Sequence, residues 1–336
     1  MYIIAAIIAF GVLIFIHELG HFTLAKINGV QIEEFAIGMG PKLFGIKKNE
    51  TQYSIKLLPI GGYVKMLGDE GESTDPRAFN NKSPLRKLSV VAAGPIMNFI
   101  LGVILFAIIA SQKGYLAPII DKTVNNYPAQ MSGLKSGDKI VRVNKSKVLT
   151  WEDFSSAVYL SGKEPVNITY NRDGNLKQVT LTPIKDKAEN RYMVGVAPRQ
   201  IKSPGIGQSI SYGFVETRSL INQTFSFFKT LFQGRANMND VGGPVTIIKL
   251  SGAAAKAGIL TLLAFSAYIS IQLAIFNIIP FPALDGGYIF LFLFEIITGK
   301  RVDQNKVGVI NYVGFAILMM LMVLVTVKDL IHPIQF

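Results

Sequence analysis

His17-Glu18-Leu19-Gly20-His21 sets two histidines four residues apart, with a glutamate directly after the first. On a helix, residues four apart lie one above the other on the same face. Two imidazoles so placed can reach one zinc ion, and the glutamate can serve as general base toward a water that the ion holds. The setting is unusual, because the preceding residues, Tyr2 to Ile16, read YIIAAIIAFGVLIFI without a charge.

A hydrolytic zinc ion needs three protein ligands and one open position. The chain has no cysteine, which excludes thiolate sites, disulfides and cysteine nucleophiles together. Its histidines are His17, His21 and His332, so the third ligand is a carboxylate unless His332 folds back from near the C-terminus. Asp285, between FNIIPFPAL and GGYIFLFLF, is the candidate. A carboxylate in or beside lipid is costly, and it marks function by default. Pro280 and Pro282 end the preceding apolar helix, and Gly286 and Gly287 permit a tight turn that swings the carboxylate back toward the first helix. The alternative is an interfacial turn aspartate that caps the next helix. Glu295, the other carboxylate of this apolar region, lies toward Lys300 and Arg301, where an ion pair or interfacial role is expected.

The elements that must position these groups are mostly apolar. Of 336 residues, 50% are hydrophobic and 17% charged, with mean hydropathy +0.37. Soluble domains carry roughly 25% charged residues, so this is a membrane protein with a polar domain. Net charge is +12 without a Lys/Arg-rich run. That surplus serves membrane topology and anionic lipid rather than nucleic acid. The first apolar run lacks a basic n-region and a small-x-small cleavage site, and so reads as a retained helix.

The expected organisation is a first transmembrane helix over 1–25, a membrane-associated β-region over 30–68 and a cytoplasmic connector over 69–87. A second transmembrane helix covers 88–111, a small α/β domain 113–198, and a linker with an amphipathic helix 199–258. A third transmembrane helix with the Asp285 motif covers 259–298, and a fourth 307–327. Lys26, Lys82, Arg86 and Lys87 flank the first connection, and Lys300, Arg301 and Lys306 the last, which places both on the cytoplasmic side. Both termini and the long middle segment are then outside. His17 lies about 22 Å along the first helix at 1.5 Å per residue. In a hydrocarbon core roughly 30 Å thick, that is the cytoplasmic third.

Local signals refine this. Thr51 to Leu57 alternates polar with apolar, as a strand does, and Gly38, Gly40, Gly61 and Gly62 mark turns or close backbone approach. Thr150 and Asp153 form a capping box before WEDFSSAVYL, which Gly162 stops. Asn171 to Asn175 is a turn between strands PVNITY and LKQVTLTP. Residues 208–232 read as an amphipathic helix on the outer membrane surface.

Four motifs then stand in order: HELGH in the first span, AAGPIMN in the second, GGPVTI before the third and NIIPFPALDGG after it. In these motifs and in span count the chain resembles the site-2 protease family of intramembrane zinc metalloproteases. It is most similar to the bacterial branch that cleaves membrane-bound regulators. The resemblance implies a polytopic α-helical membrane protein with four transmembrane helices, a membrane-associated β-hairpin region and one extracytoplasmic PDZ domain of α/β type. It implies that His17, His21 and Asp285 bind one Zn2+ and that Glu18 is the catalytic base. Asn277 matches an asparagine that holds the substrate backbone, whereas Asn98 is read as a helix-packing residue. Gly38, Gly40 and the strand Tyr63-Val64-Lys65-Met66 would take an unwound substrate segment as an added strand. Opening a helix in lipid leaves backbone groups unpaired at several kcal/mol each, and a sheet edge supplies replacement partners.

Pro128-Ala129 and Gly133 to Ile140 carry the PDZ match, with roles in peptide binding, size filtering or architecture. The implied partners are the lipid bilayer and single-span membrane proteins, such as pre-trimmed anti-sigma factors or remnant signal peptides. Two rivals are a catalytically silent scaffold or chaperone of the same fold, and a metal transporter. The intact His17, Glu18, His21 and Asp285 argue against the first. The second is expected to show inverted repeats, which the sequence lacks.

Overall fold

A computed structural model describes residues 2–69, 71, 73–186, 191–233 and 242–331. His332 lies outside them. The chain forms two compact units, one of Met1–Leu105 with Phe227–Phe336 and one of Phe106–Ser226.

α1 (Tyr2–Ile27), α2 (Pro84–Lys113), α7 (Ile259–Ile278) and α9 (Gln304–Ile331), which belong to the first unit except for α2 from Phe106 on, are built from apolar runs. All four are long and apolar enough to cross a membrane. Such runs become helices because a helix bonds every backbone group within its own segment. Pro95 inside α2 leaves the Val91 carbonyl without its usual donor four residues on.

β1 (Ile32–Lys48) and β2 (Thr51–Met66) make more than the expected simple hairpin. Phe35 pairs with both Val64 and Tyr53, and Tyr53 pairs with both Phe35 and Ile46. The sheet therefore runs, in space, 42–48, 51–58, 32–39, 62–66, and segment 62–66 is an edge. The bend that returns β2 to β1 falls at Gly61, at φ 82°. Phe35, Val64 and Met66 pack with Ala25 of α1, Val90 and Val91 of α2, and Phe292. One apolar cluster thus joins the sheet to the helices.

Phe292 belongs to α8 (Asp285–Thr298). Glu295 on the same helix pairs with Lys87 of α2 at 3.0 Å, both side chains being 3% exposed. The expectation that pointed Glu295 toward Lys300 and Arg301 is corrected. The carboxylate turns inward, where Lys87 also lies over the Phe292 ring at 4.5 Å, and ties α8 to α2.

The second unit contains β3 (Tyr115–Thr123), α3 (Pro128–Met131), β4 (Lys139–Val143), β5 (Ser146–Lys147) and α4 (Trp151–Ser161). After them come β6 (Val166–Arg172), β7 (Asn175–Leu181), β8 (Ile184–Lys185), β9 (Tyr192–Met193) and β10 (Val196–Ile201). The sheet order is β10-β3-β4-β6-β7, with Ile120, Ile140, Phe154, Val166 and Ile168 in its core. The capping box at Thr150 and Asp153 is present, and Asp173 and Gly174 turn β6 into β7 with positive φ.

Between β10 and α7 the described residues form two helices, α5 (Ile206–Phe232) and α6 (Pro244–Ala257), rather than one. α5 buries Ser209, Glu216, Thr217 and Ser219, while Ile206, Ile210 and Phe214 are exposed. Its polar face is the packed one, because α4 offers polar partners: Asp153 accepts from Ser219 Oγ at 2.6 Å and from Gln223 Nε2 at 3.0 Å. α6 has no side-chain cap of its own. Asp329 of α9 supplies one, accepting from the Gly243 and Thr246 amides at 2.9 and 3.0 Å.

Candidate metal centre

His17 and His21 lie one turn apart on α1, with ring centroids 4.9 Å apart and planes at 82°. Asp285 is the first residue of α8. Its Oδ2 lies 3.1 Å from His17 Nε2 and 3.4 Å from His21 Nε2, and the two nitrogens are 3.3 Å apart. Atoms on a tetrahedron of zinc–ligand radius about 2.0–2.1 Å stand about 3.3 Å apart. The three atoms therefore form one face of such a tetrahedron. Asp285 Oδ2 is buried, and its close polar neighbours are these two ring nitrogens. Two imidazole nitrogens and a carboxylate oxygen converging at this spacing are a donor set that fits a zinc ion between the three groups.

Asp285 reaches this position through a turn held from α9. Ala283 adopts φ 67°, a left-handed conformation that a non-glycine residue rarely takes. Its amide donates to Asn311 Oδ1 at 3.1 Å, and Asn311 Nδ2 donates to Tyr288 Oη at 2.8 Å. Asp285 is not the N-cap of α8, a place Leu284 holds, and its Oδ2 turns to the two imidazoles.

α2 closes the other side. A Cβ at Gly94 would come within 2.6 Å of His21 Cε1 and 2.9 Å of His17 Cε1. The absent side chain lets α2 lie directly on both rings. Gly20 makes the reciprocal approach, its Cβ position being 2.7 Å from the Ala93 carbonyl carbon. Small residues on facing helices permit such close crossings in membranes. α2 also orients the histidines, for His21 Nδ1 lies 2.9 Å from Val90 O and His17 Nδ1 3.1 Å from Asn98 Nδ2.

Glu18 faces the sheet edge. A Cβ at Gly62 would lie 3.1 Å from Glu18 Cγ. Segment 62–66 thus begins beside the glutamate. The neighbouring side chains turn elsewhere: Tyr63 bonds Glu34 and Lys56, Lys65 pairs with Glu33 at 3.3 Å, and Val64 and Met66 are buried in the apolar cluster. Any contact of Val64 or Met66 with an added strand would be through the backbone. Gly38 and Gly40 have φ 87° and 85° and lie against Leu58. Asn277 Nδ2 donates to Leu273 O of its own helix at 3.0 Å.

His17, His21 and Asp285 are thus brought together, with Glu18 and Gly62 beside each other. Gly94, Gly20, Asn98 and Asn311 escaped functional assignment from sequence. The signal available for Asn311 was a lone amide in an apolar span.

The model of peptidase family M50 matches residues 5–321. A chain of Clostridium acetobutylicum with a provisional zinc-metalloprotease name is 54% identical over 334 residues, covering 99% of this chain and 98% of that one. The regulator of sigma-W protease RasP of Bacillus subtilis is 30% identical over 415 residues, covering 98% of each chain. That alignment is longer than this whole chain, so RasP carries segments without a counterpart here. The PDZ domain of an SdrC-like protein of Listeria monocytogenes, which covers 25% of this chain and 88% of that one, gives a TM-score of 0.23 at 17% identity, too low to assign a fold. The match over nearly the full length places this chain in peptidase family M50.

Proposed function

We propose that this chain is an intramembrane zinc endopeptidase that cleaves single-span membrane proteins, such as pre-trimmed anti-sigma factors or remnant signal peptides. The observation that carries the reading is the triangle of His17 Nε2, His21 Nε2 and Asp285 Oδ2, with Glu18 on the helix that carries the two histidines. These three residues would hold the zinc ion. When bound, zinc acidifies water and polarises the scissile carbonyl. Glu18 takes the proton from the attacking water and delivers it to the leaving amine. The backbone of 62–66 receives the unwound substrate as an added strand, which brings its scissile bond alongside Glu18. Asn277, Gly38 and Gly40 contribute to holding that strand.

Basic residues at the span ends support a multi-pass plasma-membrane topology. Both termini and residues 113–198, as a PDZ domain, are outside, and the site is in the cytoplasmic third. A cysteine introduced at Lys145 of this cysteine-free chain then reacts with an impermeant thiol reagent on intact cells. Labelling only after lysis reverses the assignment.

The principal test uses purified chain and a membrane-embedded single-span substrate. Glu18→Gln keeps fold and zinc but lowers cleavage by at least about 10²–10⁴-fold. Cleavage near the wild-type rate removes Glu18 as the base. A wild-type chain that holds zinc but cleaves nothing favours the scaffold reading.

A further inference from the structure

We infer that Asn98 is a positioning residue that sets the tautomer of His17, and thereby decides whether the site can accept a metal ion. The inference rests on the ligand set proposed above.

His17 offers Nε2 to the triangle, 3.1 Å from Asp285 Oδ2. For that nitrogen to present a lone pair, the neutral ring must carry its proton on Nδ1. A buried N–H of this kind needs an acceptor. The group facing His17 Nδ1 is the Asn98 amide, at 3.1 Å and 0% exposed. It directs Nδ2 at the ring, while its Oδ1 is buried without a hydrogen-bond partner. A half-turn of the amide exchanges its two ends.

The two orientations have opposite consequences. With Nδ2 toward the ring, Asn98 donates to Nδ1, the ring proton sits on Nε2 and points at Asp285, and Nε2 has no lone pair for a metal ion. With Oδ1 toward the ring, Asn98 accepts from Nδ1–H, and Nε2 is free to ligate. His21 has no such choice. Its Nδ1 faces the Val90 carbonyl at 2.9 Å, which can only accept. One ligand is therefore fixed by backbone, and the other is set by an amide with a donor end and an acceptor end. Asn98 is itself held in register, since Ser270 Oγ of α7 donates to its backbone carbonyl at 2.9 Å.

The test is zinc affinity of the purified full chain in detergent, measured by competition with a chromogenic chelator. Asn98→Leu, similar in size but without an acceptor, weakens zinc about 10–100-fold, as does Asn98→Ala. Asn98→Asp, which can accept, retains the wild-type affinity. Ser270→Ala, which loosens the same turn without touching the amide, also retains it. Wild-type affinity in a folded Asn98→Leu or Asn98→Ala, a loss in Asn98→Asp as large as theirs, or an equal loss in Ser270→Ala overturns the inference. A wild-type chain that binds no zinc instead defeats the ligand set on which it rests.

Discussion

Asp285 in the first unit and Glu216 in the second each bury a carboxyl oxygen. Their neighbours differ. Asp285 Oδ2 faces two imidazole nitrogens at 3.1 and 3.4 Å. Glu216 lies on α5 near Glu152, Tyr212 and Asp153, all acids or phenols. Burial pushes its carboxyl up to about 8, and the Glu152 charge adds to the rise. Burial also raises Glu152. A buried carboxyl oxygen is therefore not a metal signature by itself. Where the lone pairs of neutral ligands converge, the favoured cation is a metal ion. Where only acids gather, a proton answers the burial. Asp153 shows a third solution, neutral donors, since it accepts from Ser219, Gln223 and the Leu149 and Thr150 amides.

The sharpest way to break this contrast is to neutralise each carboxyl in turn and measure zinc. Asp285→Asn should weaken zinc retention by at least about 10–100-fold and lower cleavage with it, whereas Glu216→Gln leaves both unchanged. Full activity and normal zinc in Asp285→Asn would assign the third ligand elsewhere. A smaller effect is expected from packing of two glycines in the first unit, one at the site and one away from it. Gly94→Ala drives a methyl into both imidazoles and costs about 1–3 kcal/mol, with loss of zinc. Gly252→Ala on α6, where a Cβ meets nothing within 4 Å, is tolerated. Equal melting temperatures and equal zinc content for the two variants would remove the helix crossing from the account.

The smallest effect concerns pH. Glu216 holds its proton more tightly folded than unfolded, so the folded state binds the extra proton between the two values. Stability contributed by this group is full below the ordinary glutamate range and falls as pH rises toward about 8. Glu216→Gln should flatten that decline, and should melt higher than the wild type at pH 8 but not at about pH 4. Parallel melting curves across this range would mean that Glu216 is ionised in the folded state.

What the sequence determined by itself was local. The four-residue spacing places two imidazoles on one face because the helical period is fixed, and apolar runs become helices because lipid offers no backbone partners. The Thr150–Asp153 cap and the Asp173-Gly174 turn are legible because each is closed by residues a few positions apart. Tertiary structure alone decided which distant groups meet. Gly94 and Gly20 allow a helix crossing that only a partner helix defines, and Asn311 pins the turn that carries Asp285. Lys87 takes Glu295 from nearer cations, and α5 packs by its polar face because α4 supplies polar partners. Strand alternation in β2 was readable, but its doubled pairing with β1, which sets Gly62 beside Glu18, was not. The physical reason is common to all of these. Periodicity and capping act within a few residues, whereas close approach, register and ion pairing depend on surfaces assembled from segments far apart in the chain.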